Sequence, residues 1–376
     1  EEVTEALHTL EDQTTSLEWP AIERVLKAEL GESRLSELDI DPEPIGAASL
    51  GQVHRAVRRS DGLELVLKVQ YPGVADAVDS DLNAVAHLLK VARLVSFGPE
   101  FNDWLEEVRE MMHREVDYRL EARTTEKFRQ MLSHDARFVV PRVLPEYSTD
   151  HIIASTYEHG HSVSSVAVRE LSLERRSGLG QAALELFFRE LFEWGEIQTD
   201  PNFGNYRIRI AGEQGGDSET DRIVLLDFGA VQSYSSGFLK PVIQMIRASY
   251  EEDLEQVVEG GIKLRFMSRD WPAEVLDKFG KVCMSVLEPL AKDRSQWPDY
   301  AVNSHGQYRW KQSDLPSRVA KQAARSAISR YFRVPPKEFV FLNRKLIGVY
   351  TFIAVLHSEF NGEDLLRKYL YGSGAA

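Results

Sequence analysis

Residues 198–205 read Gln-Thr-Asp-Pro-Asn-Phe-Gly-Asn, and the chain later returns with Asp227-Phe228-Gly229. An aspartate followed five positions on by an asparagine, and then by Asp-Phe-Gly, is the order in which phosphoryl-transfer sites present a base and two metal ligands. That chemistry needs little covalent help. It needs one carboxylate near the attacking hydroxyl, and an amide plus a second carboxylate to hold magnesium on the phosphates. Asp200 is therefore the expected base or water-positioning residue, with Asn205 and Asp227 the expected magnesium ligands. Either element alone is weak, because Asp-Phe-Gly arises by chance in roughly one chain in twenty of this length. The other parts of a nucleotide site must also be present, in order.

Upstream, residues 44–53 read Pro-Ile-Gly-Ala-Ala-Ser-Leu-Gly-Gln-Val. Laid on the kinase phosphate loop Gly-x-Gly-x-x-Gly, Gly46 and Gly51 keep the outer positions and Ala48 takes the middle one, with Ala47 and Ser49 between them. A Cβ at the middle position narrows the approach of backbone amides to phosphates. The same residues would also serve as an ordinary Ala/Gly turn before a strand. Lys68 follows inside the apolar run Leu65-Val66-Leu67-Lys68-Val69. Strand alternation more often places such a lysine on a solvated face, but after a phosphate loop it resembles the kinase strand lysine that bridges phosphates and a helix glutamate. Its partner is expected on the helical stretch 113–122, where Asp117 and Glu121 are four apart and share a face. Asp200-Pro201-Asn202 taken alone is turn chemistry; four elements in one order argue against coincidence.

The rest of the chain frames these residues. Its 376 residues suffice for two lobes, and 43% hydrophobic with 28% charged residues marks an ordinary globular protein. A net charge of −14 argues against sequence-independent nucleic-acid binding. The single cysteine, Cys283, allows no disulfide framework and no cysteine zinc site. In the run Val282-Cys283-Met284 it reads as a small buried hydrophobe, and a reducing compartment follows. The histidines show no metal-ligand spacing. No signal peptide opens the sequence, and the longest uncharged apolar run, 346–357, is too short to span a bilayer and reads as a buried helix. Membrane contact is then peripheral.

Pro20 and Gly31 bracket a helix over 21–30. Strands are expected at 53–57 and 63–69, joined by a turn whose Asp61-Gly62 is a hairpin signal. The pattern over 75–132 is helical with a break near 97–99. Strands at 138–143 and 151–157 lead to a hinge at Gly160. A long helix over 177–194, the 200–205 loop, a short strand to Ile210, a polar turn over 212–221 and a strand at 223–226 follow. The remainder is mostly helical. This order describes an α+β, protein-kinase-like, two-lobed fold: an N-terminal helical segment (1–40), a small mixed lobe with a helical insertion (41–160) and a larger helical lobe (161–376) carrying the catalytic loop and metal site, with the site between the lobes.

The Ala-rich stretch 45–54, Leu67-Lys68-Val69-Gln70-Tyr71-Pro72-Gly73-Val74, Glu115-x-Asp117-Tyr118-x-x-Glu121-Ala122, the 198–205 loop and Leu226-Asp227-Phe228-Gly229-Ala230 together resemble the UbiB/AarF (ADCK) atypical kinase-like family, from about residue 30 to 365. The Gln-Thr-Asp-Pro-Asn form, with Val334-Pro335-Pro336 and Arg344-Lys345, is most similar to the branch tied to coenzyme Q (ubiquinone) biosynthesis. The resemblance implies ATP and Mg2+ binding with ATPase activity. It makes Lys68 and Glu121 the ion pair, Asp200 the catalytic aspartate, Asn205 and Asp227 the metal ligands, and Gly46 to Gly51 the cover over the phosphates. It also implies that Glu115 and Asp117 pair with an N-terminal Lys-x-Gly-Gln helix. The sequence shows no such motif, since Gly178-Leu179-Gly180-Gln181 lacks the lysine, and the expectation is that the chain starts after it.

Three functions fit these features: an ATPase supporting quinone-lipid biosynthesis; a phosphotransferase acting on a small hydroxyl-bearing molecule or lipid; and a nucleotide-gated scaffold for lipid or partner proteins, suggested by the apolar helix over 182–194. A quinone precursor, a lipid and biosynthetic partner proteins are the implied partners. The bacterial cytoplasm and the mitochondrial matrix are equally compatible compartments.

Overall fold

Leu65, Leu67 and Val69 are completely buried along one face of a single strand, and this alternation builds the first sheet. The computed structural model describes residues 16–48, 50–91, 99–213, 219–295, 297–327, 331, 333 and 335–372. It divides into two compact units: the described residues up to Glu158 together with Leu225–Ala230, and His159–Val224 with Val231 onward.

In the first unit, helix α1 (Trp19–Ser36) precedes strands β1 (Leu38–Ala48), β2 (Gly51–Arg58) and β3 (Glu64–Gln70). Pro20 stands in the first turn of α1, as expected, but Gly31 kinks the helix (φ 72°) rather than ending it. Ile22, Leu26 and Leu30 recur every four residues and pack on the buried face of the sheet with Leu38, Leu65, Leu67 and Val69. The buried Gln52 holds the start of α1, donating to the Leu17 carbonyl and accepting the Leu17 N–H. Around Asp61-Gly62 the expected hairpin forms: Gly62 is left-handed (φ 72°) and the Arg58 N–H donates to Leu63 O at 2.9 Å.

Strand β1 is absent from the sequence expectation. It pairs antiparallel with β2, interrupted by register shifts around Pro44, so that Gly46, Ala47 and Ala48 are strand residues facing Val53, Gln52 and Gly51. Gly46–Ala48 and Gly51 therefore stand at the paired end of a hairpin. Ser49, expected in this loop, lies outside the described residues. Helices α2 (Val74–Val91), α3 (Pro99–Val116) and α4 (Tyr118–Met131) follow, then strands β4 (Phe138–Val139), shorter than expected, and β5 (Ile152–Thr156), which completes the sheet in the order β1-β2-β3-β5. Phe97 and Gly98 of the expected helix break lie outside the described residues, and Pro99 opens α3.

The second unit opens with α5 (Val166–Arg169) and α6 (Leu173–Phe188), which passes into a π turn over Arg189–Trp194 closed by left-handed Gly195. Strand β6 (Glu196–Gln198) pairs with β9 (Val231–Ser233), and β7 (Tyr206–Arg209) with β8 (Arg222–Leu225). Gly160 lets residues 159–161 run against β7, because a Cβ there would sit 2.8 Å from that of Arg207. Helices α7 (Ser236–Tyr250), α8 (Leu254–Lys263), α9 (Ala273–Ser285), α10 (Leu315–Ala327), α11 (Lys337–Val355) and α12 (Glu363–Tyr371) complete the unit. Helix α11 contributes Leu346, Val349, Tyr350 and Ile353 to one core with Leu184, Phe188, Trp310 and Leu366. The apolar run 346–357 is thus a buried helix, and among the described residues no helix is long and apolar enough to cross a membrane. Burial pushes the Cys283 thiol up to about 12, far from nucleophilic.

Candidate functional site

Lys68 alternates with the buried Leu67 and Val69, so its side chain leaves the opposite face of β3. That face is covered by α4 rather than by water, and the side chain is only 18% exposed. Its ammonium donates to both Glu121 carboxylate oxygens, at 2.8 and 2.9 Å, and to Asp227 Oδ2 at 3.3 Å. The Tyr118 ring lies 5.3 Å from the same nitrogen. One cation therefore joins two acids that stand 53 and 159 positions further along the chain.

The geometry chooses Glu121 over Asp117 for a local reason. Helicity does not run through residues 113–122: Asp117, at φ −83° and ψ 78°, leaves the helical region, and its carboxylate accepts the Leu120 N–H at 2.8 Å as the N-cap of α4. The two acids expected to share a face thus have separate tasks. Gln70, buried at the end of β3, donates to the Val116 carbonyl at 3.0 Å and ties the strand to this break. Glu115 stands at the end of α3, near enough for its charge to act on Glu121.

Asp-Phe-Gly is anchored on the same helix. The Phe228 ring packs 4.9 Å from that of Phe128, and Asp227 Oδ1 accepts the Gly229 N–H at 2.8 Å. A Cβ on Gly229 would come within 3.2 Å of Glu121 Oε2. Burial drives Glu121 up to about 7 against the pull of Lys68. Asp227 is opposed by burial as well, but Lys68 and the Gly229 N–H win and hold it below the ordinary carboxylate value. Burial also disfavours the Lys68 ammonium, yet the two carboxylates keep it well above the usual lysine value.

The other expected residues form a self-braced loop in the second unit. Asp200 accepts the Asn202 N–H at 3.2 Å and the Asn205 side-chain amide at 2.6 Å. Asn202 in turn accepts the Gly204 N–H at 2.6 Å, closing a single 3₁₀ turn over Phe203–Asn205. Arg344 of α11 stands 3.8 Å from Asp200. Sequence reasoning missed Glu190 altogether and gave Lys345 no role; both are buried beneath this loop.

A magnesium site is compatible with these donors. Two carboxylates face one ammonium around Lys68, leaving an excess of negative charge, and Asp227 remains 33% exposed. No group of three or more His, Cys, Asp or Glu among the described residues could cage a metal unaided. Magnesium is commonly held by one or two carboxylates and completed by substrate phosphates and water. Asn205 donates through its nitrogen, so its amide oxygen has the right chemistry for a hard cation.

A strand lysine joined to a helix glutamate and to the Asp-Phe-Gly aspartate, with an Asp-to-Asn loop elsewhere in the chain, is the constellation of a protein-kinase-like fold. The model of the ABC1 atypical kinase-like domain matches residues 9–260, and the chain belongs to that family. It is 31% identical over 354 residues to the probable serine/threonine-protein kinase abkA of Dictyostelium discoideum, covering 91% of this chain and 60% of the relative. It is 30% identical over 369 residues to the mitochondrial atypical kinase COQ8 of Schizosaccharomyces pombe, covering 98% of this chain and 57% of the relative. The chain thus spans about three fifths of the length of these curated relatives. A Mycobacterium tuberculosis protein solved in complex with erythromycin shares the fold at a TM-score of 0.70 and 23% identity, over all of this chain and 88% of the other.

Proposed function

We propose that the chain binds ATP with magnesium and hydrolyses it as an atypical kinase-like ATPase, in support of ubiquinone or related lipid biosynthesis. The observation that carries this reading is the Lys68 ammonium shared between Glu121 and Asp227. In it, Lys68 steadies the nucleotide phosphates while Glu121 fixes the lysine's direction. Gly46, Ala47, Ala48 and Gly51 of the hairpin, together with Ser49, would cover the phosphates. Asp227 and the Asn205 amide oxygen would hold the magnesium ion, which would neutralise phosphate charge. Asp200 orients the attacking water and takes its proton as the water oxygen bonds to the γ-phosphorus and the bond to the ADP oxygen breaks. Glu115 lies at the acidic edge beside Glu121, and Asp117 caps α4.

The test is thermal unfolding with ADP or ATP, with and without magnesium, alongside phosphate release. A native-state ligand raises the midpoint. The expected result is a magnesium-dependent rise that Lys68→Met abolishes, and turnover that stops on chelation. No rise with any nucleotide would overturn the proposal. The biosynthetic half is tested separately, by the quinone content of cells that depend on this chain. Unchanged quinone in cells whose purified protein still hydrolyses ATP would overturn that half alone.

A further inference from the structure

Two opposite charges lie out of water inside the second unit. Glu190 is 1% exposed and Lys345 4%, and their charged atoms are 3.2 Å apart. Glu190 comes from the π turn after α6, a distortion frequently found at functional sites. Lys345 comes from α11. Glu190 Oε1 accepts the backbone N–H of Gln198 at 3.3 Å, two residues before Asp200. The Lys345 ammonium donates to the Tyr206 hydroxyl, one residue after Asn205. The pair therefore holds the loop at both ends.

The middle of the loop rests on the same helix. Gly348 has no Cβ where one would lie 2.6 Å from Pro201. The Phe352 ring is 5.4 Å from Tyr206 and 6.5 Å from Phe203. Cohesion is a poor reason for the buried charges, since a buried ion pair is often no better than well-packed apolar residues of the same volume. What the pair adds over apolar residues is direction: each charged group points at one end of the loop.

We propose that Glu190 and Lys345 are positioning residues, a buried two-ended clamp that fixes the Asp200–Asn205 loop in its working geometry. The clamp touches no reacting atom, and its catalytic consequence rests on the reading of Asp200 and Asn205 given above. A misplacement of about 1 Å at such a loop costs on the order of a hundredfold in rate.

The test compares wild type with Lys345→Met, the isosteric pair Glu190→Gln/Lys345→Met, and Tyr206→Phe. Lys345→Met alone leaves a buried carboxylate and lowers the thermal midpoint; the paired substitution restores it. In the pair, kcat for ATP stays about ten- to a hundredfold down while KM moves by less than about threefold. Amides of residues 198–206 exchange about tenfold faster than in wild type, and those of β2 and β3 are unchanged. Turnover that recovers together with the midpoint would reduce the pair to a structural role and overturn the proposal. Unchanged exchange over 198–206 would overturn it as well. If the paired variant does not fold, Tyr206→Phe keeps the ring contacts and removes only the hydroxyl; turnover and exchange both equal to wild type there would likewise overturn it. Should wild type itself hydrolyse no nucleotide, the ATPase reading fails while the exchange comparison still judges the clamp.

Discussion

Lys68 and Glu121 meet through both carboxylate oxygens, at 2.8 and 2.9 Å, and this near-symmetric grip leaves the ammonium a third bond for Asp227 at 3.3 Å. Each of the three groups limits where the other two can stand. Losing Lys68 would leave two carboxylates uncompensated on the covered face of β3, whereas losing either acid would leave the ammonium a single partner.

Lys68→Met tests that dependence. It strands two carboxylates around a side chain that is 18% exposed, and removing one partner of a buried pair costs about 3 kcal/mol. Both a lowered denaturation midpoint and loss of the nucleotide-induced rise are expected. The double variant Lys68→Met/Glu121→Gln is expected to recover part of the stability and none of the nucleotide response. Stability unchanged in the single variant would show the ion pair to be energetically idle.

Glu121 gives a pH signature. Burial raises its carboxyl to about 7 from the ordinary 4.5, so between those values the folded chain binds this proton more tightly than the unfolded chain. Its contribution to stability is complete at acid pH, falls as pH rises from 4.5 towards 7, and levels off above 7. Asp227 has the opposite sign: its lowered value means stability present above the ordinary carboxylate range and lost in acid. Wild-type stability relative to Glu121→Gln is expected to decline between pH 5 and 7. Parallel curves for the two proteins would remove Glu121 as the titrating group.

The two glycines of the hairpin tip differ in tolerance. A Cβ at Gly46 meets nothing within 4 Å, whereas at Gly51 it would lie 2.5 Å from Val69 O and 2.7 Å from the Tyr118 hydroxyl. Gly51→Ala must push β3 or Tyr118 and is expected to destabilise by about 1–3 kcal/mol; Gly46→Ala is expected to be close to neutral. Denaturant midpoints of the two proteins check the contrast, which equal values would contradict.

Asp200→Asn is nearly isosteric and keeps an acceptor for the Asn202 N–H, so the fold is expected to stand. Turnover is expected to fall by about two to four powers of ten, the scale of a lost general base. Single-turnover phosphate release measures it. Unchanged hydrolysis would take the proton-accepting role away from Asp200.

Asp117→Ala separates capping from any part in the acidic edge. Losing the side-chain acceptor for Leu120 N–H is expected to cost about 1 kcal/mol, and Asp117→Asn to restore most of it. A change in turnover equal for both substitutions would point to charge rather than to the cap.

Much of this was legible in the sequence, for physical reasons. The kinase-like fold was readable because the Asp-Gly turn, the apolar alternation of β3 and the order of the polar motifs each report a local constraint. Strand β1 escaped because residues 39–44 read Asp-Ile-Asp-Pro-Glu-Pro, with almost no apolar alternation. An edge strand whose register shifts at Pro44 tolerates such residues where a central strand would not. The break at Asp117 escaped because helical spacing continues across it, and only the capping bond shows that the backbone turns. Glu190 was unreadable: inside an apolar helical run a glutamate looks solvated, and its partner stands 155 residues away on another helix. The only available hint was Lys345, a charge set in the apolar stretch before Leu346.

The six residues Leu225–Ala230 group with the first unit, although Val224 and Val231 on either side of them belong to the second. A recombinant fragment ending near residue 158 would therefore lack Asp227 and Phe228, leaving Lys68 with one acid instead of two and Phe128 without the ring packed against it. No single cleavage can part the lysine-bearing unit, with Asp227 still in it, from the residues of the other unit.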